Sequence, residues 1–345
     1  MYLRICVVRY ECHHCDDHPT TSEQYDWRER KSKTTKNLDR YINRQLIHST
    51  IEDVGKKICI SSEIVESALN RGVNIAVDWS IYSNLDMIGI DEIAVKKGHN
   101  NYLTIVSVKS AQVELSVIAV LPNRLKETVK MFLESIPDHL KKTVKSVCTD
   151  MYDGFVKSSE KVFGKRVVVI DRYHVSKLYR EPLDKIRIKE MKRLKSTLPQ
   201  KEYAKLEGMM WILRKKHECL SSEDKKTLKL MFVHSPLLKE AHKMAIKLTH
   251  IFNTYHNRKI ALTRINRWIK SVQNRNITCF DGFIKTLKTY KANILNYFKS
   301  RKNSGFVEGL NNKIKVLKRR CYGLSKPESF FQRLFLDLRG YKVFA

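Results

Sequence analysis

The sequence predicts an α/β fold in which a small sheet domain is interrupted by a long helical block. Three observations carry that expectation. Five short apolar runs with strand-like composition lie between residues 88 and 170. Residues 172–300 then read as helix throughout, with breaks expected at Pro182, Pro199, Ser221-Ser222, Pro236 and about 253–258. A last amphipathic helix follows over 303–320, with Asn303 or Ser304 as N-cap, Gly323 and Pro327 as the stop, and Val307, Leu310, Ile314 and Leu317 as its buried stripe.

The bulk composition narrows the partner. Lys+Arg number 66 against Asp+Glu 36, leaving +30 on a chain that is 42% hydrophobic. Such a chain folds around a core and keeps a basic surface, so a polyanion, most simply nucleic acid, is the expected ligand. An anionic membrane surface is the weaker reading. No apolar run reaches the ~18–20 residues of a membrane span, and the N-terminus lacks a signal-peptide core. The 8 cysteines are mostly scattered singly; only Cys12 and Cys15 form a close pair. That usage fits a reducing cytoplasm.

In chain order, residues 1–19 read as a partial zinc-ribbon-like segment: an apolar strand enters Cys12-x-x-Cys15. A ribbon uses four ligands, normally two such pairs. With one pair present, the chain is expected to begin inside the ribbon, without its first knuckle; His18 or Cys6 would have to complete a zinc site. Residues 20–36 read as a linker. Leu38, Ile42 and Leu46 mark a first helix, Thr50 opens a second, and Ser61 caps a third after a turn at Cys59-Ile60. Three short helices with a tight turn before the last predict a helix-turn-helix over 37–72, with Ser62 to Arg71 in the major groove. An ordinary helical connector is the alternative.

The strands come next. Ile88–Val95, Tyr102–Val108 and Val113–Leu121 form a meander, with a turn over 96–101. Asn123 caps a helix carrying Leu125, Val129, Phe132, Leu133 and Ile136. Val144–Cys148 is a fourth strand that delivers Asp150, and Val167–Ile170 a fifth that delivers Asp171, with a helix between them. The order β-β-β-α-β-α-β is that of a ribonuclease-H-like domain. It makes residues 86–180 the first part of the core, 181–300 an α-helical insertion, and 301–345 the final core helix with a C-terminal helix. The first and fourth strands would be neighbours, so Asp91 and Asp150 would face each other.

Two aspartates at strand ends and Glu308 in the first turn of the last helix suggest two-metal phosphoryl transfer. Mg²⁺, or Mn²⁺, takes hard oxygen ligands, and two such ions activate an attacking water or hydroxyl and stabilise the leaving oxygen. Asp91 would bridge both ions while Asp150 and Glu308 each hold one. Below Glu308, Asn312, Lys315 and Arg319 share its face, and Lys313, Lys315, Lys318, Arg319 and Arg320 are expected on DNA phosphates. A solvated basic helix is the plainer reading of the same residues.

These motifs resemble the ISL-three family of insertion-sequence transposases, a bacterial branch of the DDE enzymes. The resemblance rests on Ile88-Gly89-Ile90-Asp91-Glu92 with Lys97-Gly98-His99, on Cys148-Thr149-Asp150-Met151, and on Ile170-Asp171-Arg172-Tyr173-His174-Val175. Its longest stretch is Gly305-Phe306-Val307-Glu308-Gly309-Leu310-Asn311-Asn312-Lys313-Ile314-Lys315, followed by Arg319-Arg320-Cys321-Tyr322-Gly323. It implies a catalytic triad of Asp91, Asp150 and Glu308. It implies an enzyme that binds the inverted repeats at its element's ends, cleaves there and joins those ends to target DNA, as a homodimer in the active complex. Asp171, His174 and Asn312 are candidates for orienting ligands or a phosphate; a helix cap and a packed histidine would account for the first two. Glu92 should point to the opposite face of its strand from Asp91. Trp211, Trp268 and Tyr290, interleaved with Lys and Arg, read as core residues before base-stacking ones. Two rivals share the motifs: a catalytically inactive, truncated remnant that only binds DNA, and a nuclease that hydrolyses without joining.

Overall fold

The computed structural model describes residues 6–94, 102–110, 115–254, 257–300, 305–321, 324 and 326–344. The turn expected over 96–101 with His99, the N-cap at Asn303 or Ser304 and the stop at Gly323 lie outside the described residues, and only the backbone of Glu308 is described. A hairpin of β1 (Arg9–Glu11) and β2 (Thr20–Ser22) opens the chain. The stretch expected as linker therefore contributes a strand, and an isolated bridge joins Arg28 to Thr35.

Three short helices follow: α1 (Lys36–Gln45), α2 (Ile51–Ile58) and α3 (Ser62–Gly72). Each starts where a hydroxyl residue allows it. Thr35 and Thr50 accept backbone N–H bonds from Leu38 and Asp53, caps worth about 1 kcal/mol each, while Ser61 holds the N-cap position without a side-chain bond. Between α2 and α3 the chain reverses through Cys59 at φ 55°. A side chain at Gly55 would meet the Ile60 carbonyl oxygen at 2.9 Å, so the tight turn needs glycine there.

The sheet follows the expected topology. It comprises β3 (Met87–Ala94), β4 (Tyr102–Lys109), β5 (Ser116–Leu121), β6 (Ser146–Thr149) and β7 (Val168–Ile170), in the spatial order β5-β4-β3-β6-β7. β3 pairs antiparallel with β4 and parallel with β6, and β6 pairs parallel with β7. The first and fourth core strands are neighbours. Helices α4 (Lys126–Glu134), α5 (Asp138–Lys141) and α6 (Asp153–Phe163) lie between the strands in sequence. Asn123 does not cap α4 itself; its side chain accepts the N–H of Leu125, which takes the N-cap position and stays exposed.

Alternation along the strands sorts side chains to two faces. Ile88, Ile90, Val106 and Val108 pack against Val129 and Leu133 of α4 and Phe155 of α6. Leu103, Ile105 and Val117 face the other way. There they meet Leu310, Ile314 and Leu317 of a helix at Gly305–Arg320 and Phe330 and Leu334 of the last helix, Pro327–Phe344.

Between core and end stands the helical block. It runs through α7 (Arg172–Thr197), α8 (Gln200–Ala204), α9 (Met209–Arg214), α10 (Ser222–His234), α11 (Pro236–Asn253), α12 (Arg258–Asn274), α13 (Asp281–Thr289) and α14 (Lys291–Ser300). The two end helices are then α15 and α16. Four expected breaks fall between helices, but Pro182 lies inside α7, which continues through it. Proline removes one backbone donor, and burial of Val175, Tyr179 and Leu183 on one side of α7 outweighs that loss.

The N-terminal helices share a core with the C-terminal ones rather than standing apart. Ile42, Leu46, Val65 and Leu69 belong to the same cluster as Phe330 and Leu334. A side chain at Gly340 would lie 2.7 Å from Ile47 Cγ1, so α16 approaches α1 closely at that glycine.

Candidate active site

Backbone register brings the aspartates together. On β3 and β6, Ile90 is the partner of Thr149; on β6 and β7, Thr149 is the partner of Ile170. The next residue on each strand is an aspartate: Asp91, Asp150 and Asp171. The ladder continues one step further, with the Asp171 N–H donating to the Thr149 carbonyl at 2.8 Å. Three aspartates thus follow the strand residues in register at the same end of three adjacent parallel strands.

Each carboxylate is oriented by a nearby backbone donor. The Glu92 N–H donates to Asp91 Oδ1 at 2.8 Å, the Tyr152 N–H to Asp150 Oδ1 at 3.0 Å and the Tyr173 N–H to Asp171 Oδ1 at 3.1 Å. Asp91 is 9% exposed and Asp171 7%. Burial pushes the Asp150 carboxyl up to about 6, and the charges of Asp91 and Glu92 push the same way. The Tyr152 N–H and the nearby His174 act against them. Negative charge is therefore concentrated in a partly dehydrated place, on hard oxygen donors. That donor set fits a divalent cation such as Mg²⁺.

Glu92 turns to the opposite face, as its position in the strand requires. There Arg124, from the connection into α4, reaches both carboxylate oxygens at 2.9 and 3.2 Å. The same guanidinium lies 4.2 Å from the ring centre of Tyr102 and 5.0 Å from that of Tyr152. One side chain therefore ties the end of β3, the start of β4 and the segment after Asp150. No local sequence pattern marks Arg124, because its three partners come from three separate segments.

The sequence matches the family model of ISL3-type DDE transposases, described as transposase, over residues 88–334. The chain belongs to the ISL3 family of DDE transposases. It is 26% identical over 314 residues to the transposase for insertion sequence element IS1001 of Bordetella parapertussis, an alignment covering 90% of this chain and 75% of that protein. It is 23% identical over 280 residues to the transposase for insertion sequence element IS1557 of Mycobacterium tuberculosis, covering 76% of this chain and 62% of that one. The family implies a ribonuclease-H-like core and divalent-metal chemistry, and the mixed five-stranded sheet accords with it.

In this transposase the basic residues of α15 divide into two groups. Three of the five expected on DNA phosphates have partners within the protein. Lys313 Nζ donates to the Asp337 carbonyl at 2.7 Å, Lys318 Nζ to the Ala94 carbonyl, and Arg320 to both oxygens of the Asp337 carboxylate at 2.8 and 2.9 Å. Burial holds the Lys318 ammonium below its usual range. These three side chains fasten α15 to α16 and to the end of β3. Lys315 and Arg319 are exposed, as are Asn312 and, despite its bond to Asp337, Lys313.

Arg71 of α3 is bonded to Asp39 at 2.7 and 2.8 Å, and Glu63 and Glu66 of the same helix are exposed. Exposed cations on the neighbouring helices include Arg44 of α1 and Lys57 of α2. Near the N-terminus the hairpin brings Cys12 Sγ within 3.3 Å of Cys15 Sγ, and the His14 N–H holds the Cys12 thiol below its usual value. That is two of the four ligands a structural zinc site uses. Glu11, His13 and His18 offer ligand atoms within 4.8 Å of one another beside it, all exposed; Cys6 is exposed as well.

Among the described residues, no helix is long and apolar enough to cross a membrane.

Proposed function

We propose that this transposase binds the terminal inverted repeats of its insertion sequence, cleaves the DNA at those ends and joins them to target DNA. The observation that carries the reading is the register of Ile90 with Thr149, which sets Asp91 and Asp150 side by side. Asp91, Asp150 and Glu308 would hold Mg²⁺, or Mn²⁺, as two ions. Bound there, the ions would make water or a 3′-hydroxyl nucleophilic and stabilise the leaving oxygen of the phosphodiester.

The protein's own groups then position the chain. Asp150, with its carboxyl raised to about 6, is ionised at neutral pH and available as a ligand. Arg124 and Glu92 hold the strand ends so that the two carboxylates keep their spacing. Asp171 and His174 orient those ligands or a scissile phosphate. Lys315 and Arg319, exposed on the helix that carries Glu308, contact the DNA backbone. Helices α1–α3 form the helix-turn-helix that recognises the element's ends, with Arg44 and Lys57 on phosphates. Two copies act together, one on each end.

The test uses a supercoiled plasmid carrying the DNA that flanks the gene, purified protein and Mg²⁺, with a Glu308→Gln variant alongside. Breaks mapped to the flanks, and products in which those ends are joined to new DNA, support the reading. Breaks without joining would make it a nuclease, and binding without breaks a DNA-binding remnant.

A further inference from the structure

The helical insertion carries a feature that phosphodiester chemistry at the aspartates does not use. Tyr173 follows Asp171 by two positions and packs edge-on against His174, with ring centres 5.5 Å apart. From Tyr173 a cavity of about 410 Å³ runs along α7 towards α9, bordered by Lys177, Arg180 and Arg214. It shares Arg180, Leu183, Leu213 and Arg214 with a second cavity of about 240 Å³ that reaches α11. That one shares Ile246 and His250 with a third, of about 510 Å³, between α11 and α12. Linked by these shared residues, the cavities run as a trough from Tyr173, two positions after Asp171, to α12.

Its chemistry is consistent along its length. Leu183, Leu213 and Ile246 give it an apolar floor. Lys177, Arg180, Lys216, Lys247 and Arg267 line it and are exposed. Of the acidic residues along it, Asp184 is paired with Arg187 at 2.7 Å and Arg214 at 3.0 Å; Glu181 and Glu218 are the others. Two aromatic faces are offered to solvent next to it: Tyr173 is 51% exposed and Trp211, one turn before Arg214, is 63% exposed. Trp268 shows what a core tryptophan looks like in the same block. It is 3% exposed and donates its indole N–H to the Met244 carbonyl at 2.7 Å. Trp211 has no such role, and the Arg214 guanidinium lies 5.8 Å from its ring centre.

We infer that this trough holds an unpaired DNA strand leaving the catalytic aspartates, with bases stacking on Tyr173 and Trp211 and phosphates on the basic rim. The inference rests on the DNA reading given under Proposed function. Duplex DNA is read from outside, through its phosphates and groove edges. A narrow trough with an apolar floor, cationic walls and exposed rings suits single strands instead, since every base has a face to stack and every nucleotide a phosphate. Strand separation next to the cleavage point is the event such a trough would serve.

The experiment measures binding of the full chain, without metal, to three labelled DNAs built from the gene's flanks: a blunt duplex, the same duplex with an unpaired arm, and the free arm. The forked DNA is expected to bind at least about tenfold more tightly than the blunt one. Trp211→Ala should remove about tenfold from the forked affinity and leave the blunt duplex unchanged, and Trp211→Phe should restore it. Arg180→Glu should act in the same selective way, and its melting temperature, read beside that of Arg180→Lys, separates lost binding from lost folding. Equal affinity for forked and blunt DNA would overturn the proposal while leaving the DNA reading intact. So would equal losses on both, or competition by polyglutamate as strong as by the free arm, which would mark a general anion surface. Failure to bind any of the DNAs would remove the DNA reading and the trough's role with it.

Discussion

Ile90 of β3 and Thr149 of β6 are direct register partners on adjacent parallel strands. A parallel pair has no slack in its register once one face is buried, because a one-residue slip would exchange the faces. Ile90 is fully committed to the α4–α6 side of the sheet, so Asp91 must point to the side where α15 packs. The spacing of Asp91 and Asp150 is thus a property of the sheet, not of a loop.

Neutralising either carboxylate should therefore abolish chemistry without unfolding the sheet. Asp91→Asn and Asp150→Asn are expected to lower strand cleavage at least about a thousandfold, equivalent to about 4 kcal/mol of barrier. DNA affinity measured without metal should change little. Gel-shift titration and single-turnover cleavage on the same preparations check both halves.

The raised Asp150 carboxyl has a consequence for pH. Its folded value, about 6, lies above the ordinary 3.8. Between those values the folded chain keeps a proton that the unfolded chain has released. Its contribution to stability is complete at the acid end and is lost as pH rises through about 6. Metal-free Asp150→Asn should then be more stable than the parent at about pH 7.5, by up to about 3 kcal/mol, with the difference vanishing near about pH 4. Mg²⁺ needs the ionised carboxylate, so its stabilising effect should be larger at the higher pH. Urea titrations at both ends of the window decide this.

Arg124 and Glu92 offer a test of positioning. Arg124→Met and Glu92→Gln should each lower turnover about tenfold while leaving DNA affinity unchanged, and the double variant should be no worse than either alone. Additive losses would mean the two side chains act separately.

On α15 the exposed and the anchored cations should part company. Arg320→Ala leaves the nearly buried Asp337 carboxylate, whose side chain is 4% exposed, without the Nη2 donor shared by its two oxygens, and should cost about 2–4 kcal/mol of stability. Lys315→Ala and Arg319→Ala should leave the melting temperature unchanged and weaken DNA binding, each reducing the salt dependence by about one counterion. Thermal melts and salt titrations of anisotropy separate the two kinds.

Much of this is legible in the sequence itself. The five core strands, and the neighbouring placement of Asp91 and Asp150, follow from short apolar runs whose order admits few topologies. Asp171 was visible too, as a strand-terminal acid, although its level with the other two depends on the Thr149–Ile170 pairing. What the residues alone did not reveal was which charges already have partners. Lys313, Lys318 and Arg320 look like DNA ligands in a basic stretch, yet Asp337 and the end of β3, far away in sequence, hold them. Arg124 was silent for the same reason. Pro182 misled because local backbone preference was set against packing of Val175, Tyr179 and Leu183, and packing prevailed.

The measurement that bears most directly on the central claim is single-turnover cleavage of a flank-bearing duplex by wild-type protein and by Asp91→Asn, with Mg²⁺ and with Mn²⁺. Strand breaks at the flank by the wild type in either metal, and none above background from a variant that still binds the DNA, are the predicted result. Equal cleavage by the two proteins would show that the chemistry does not reside at the aspartate row.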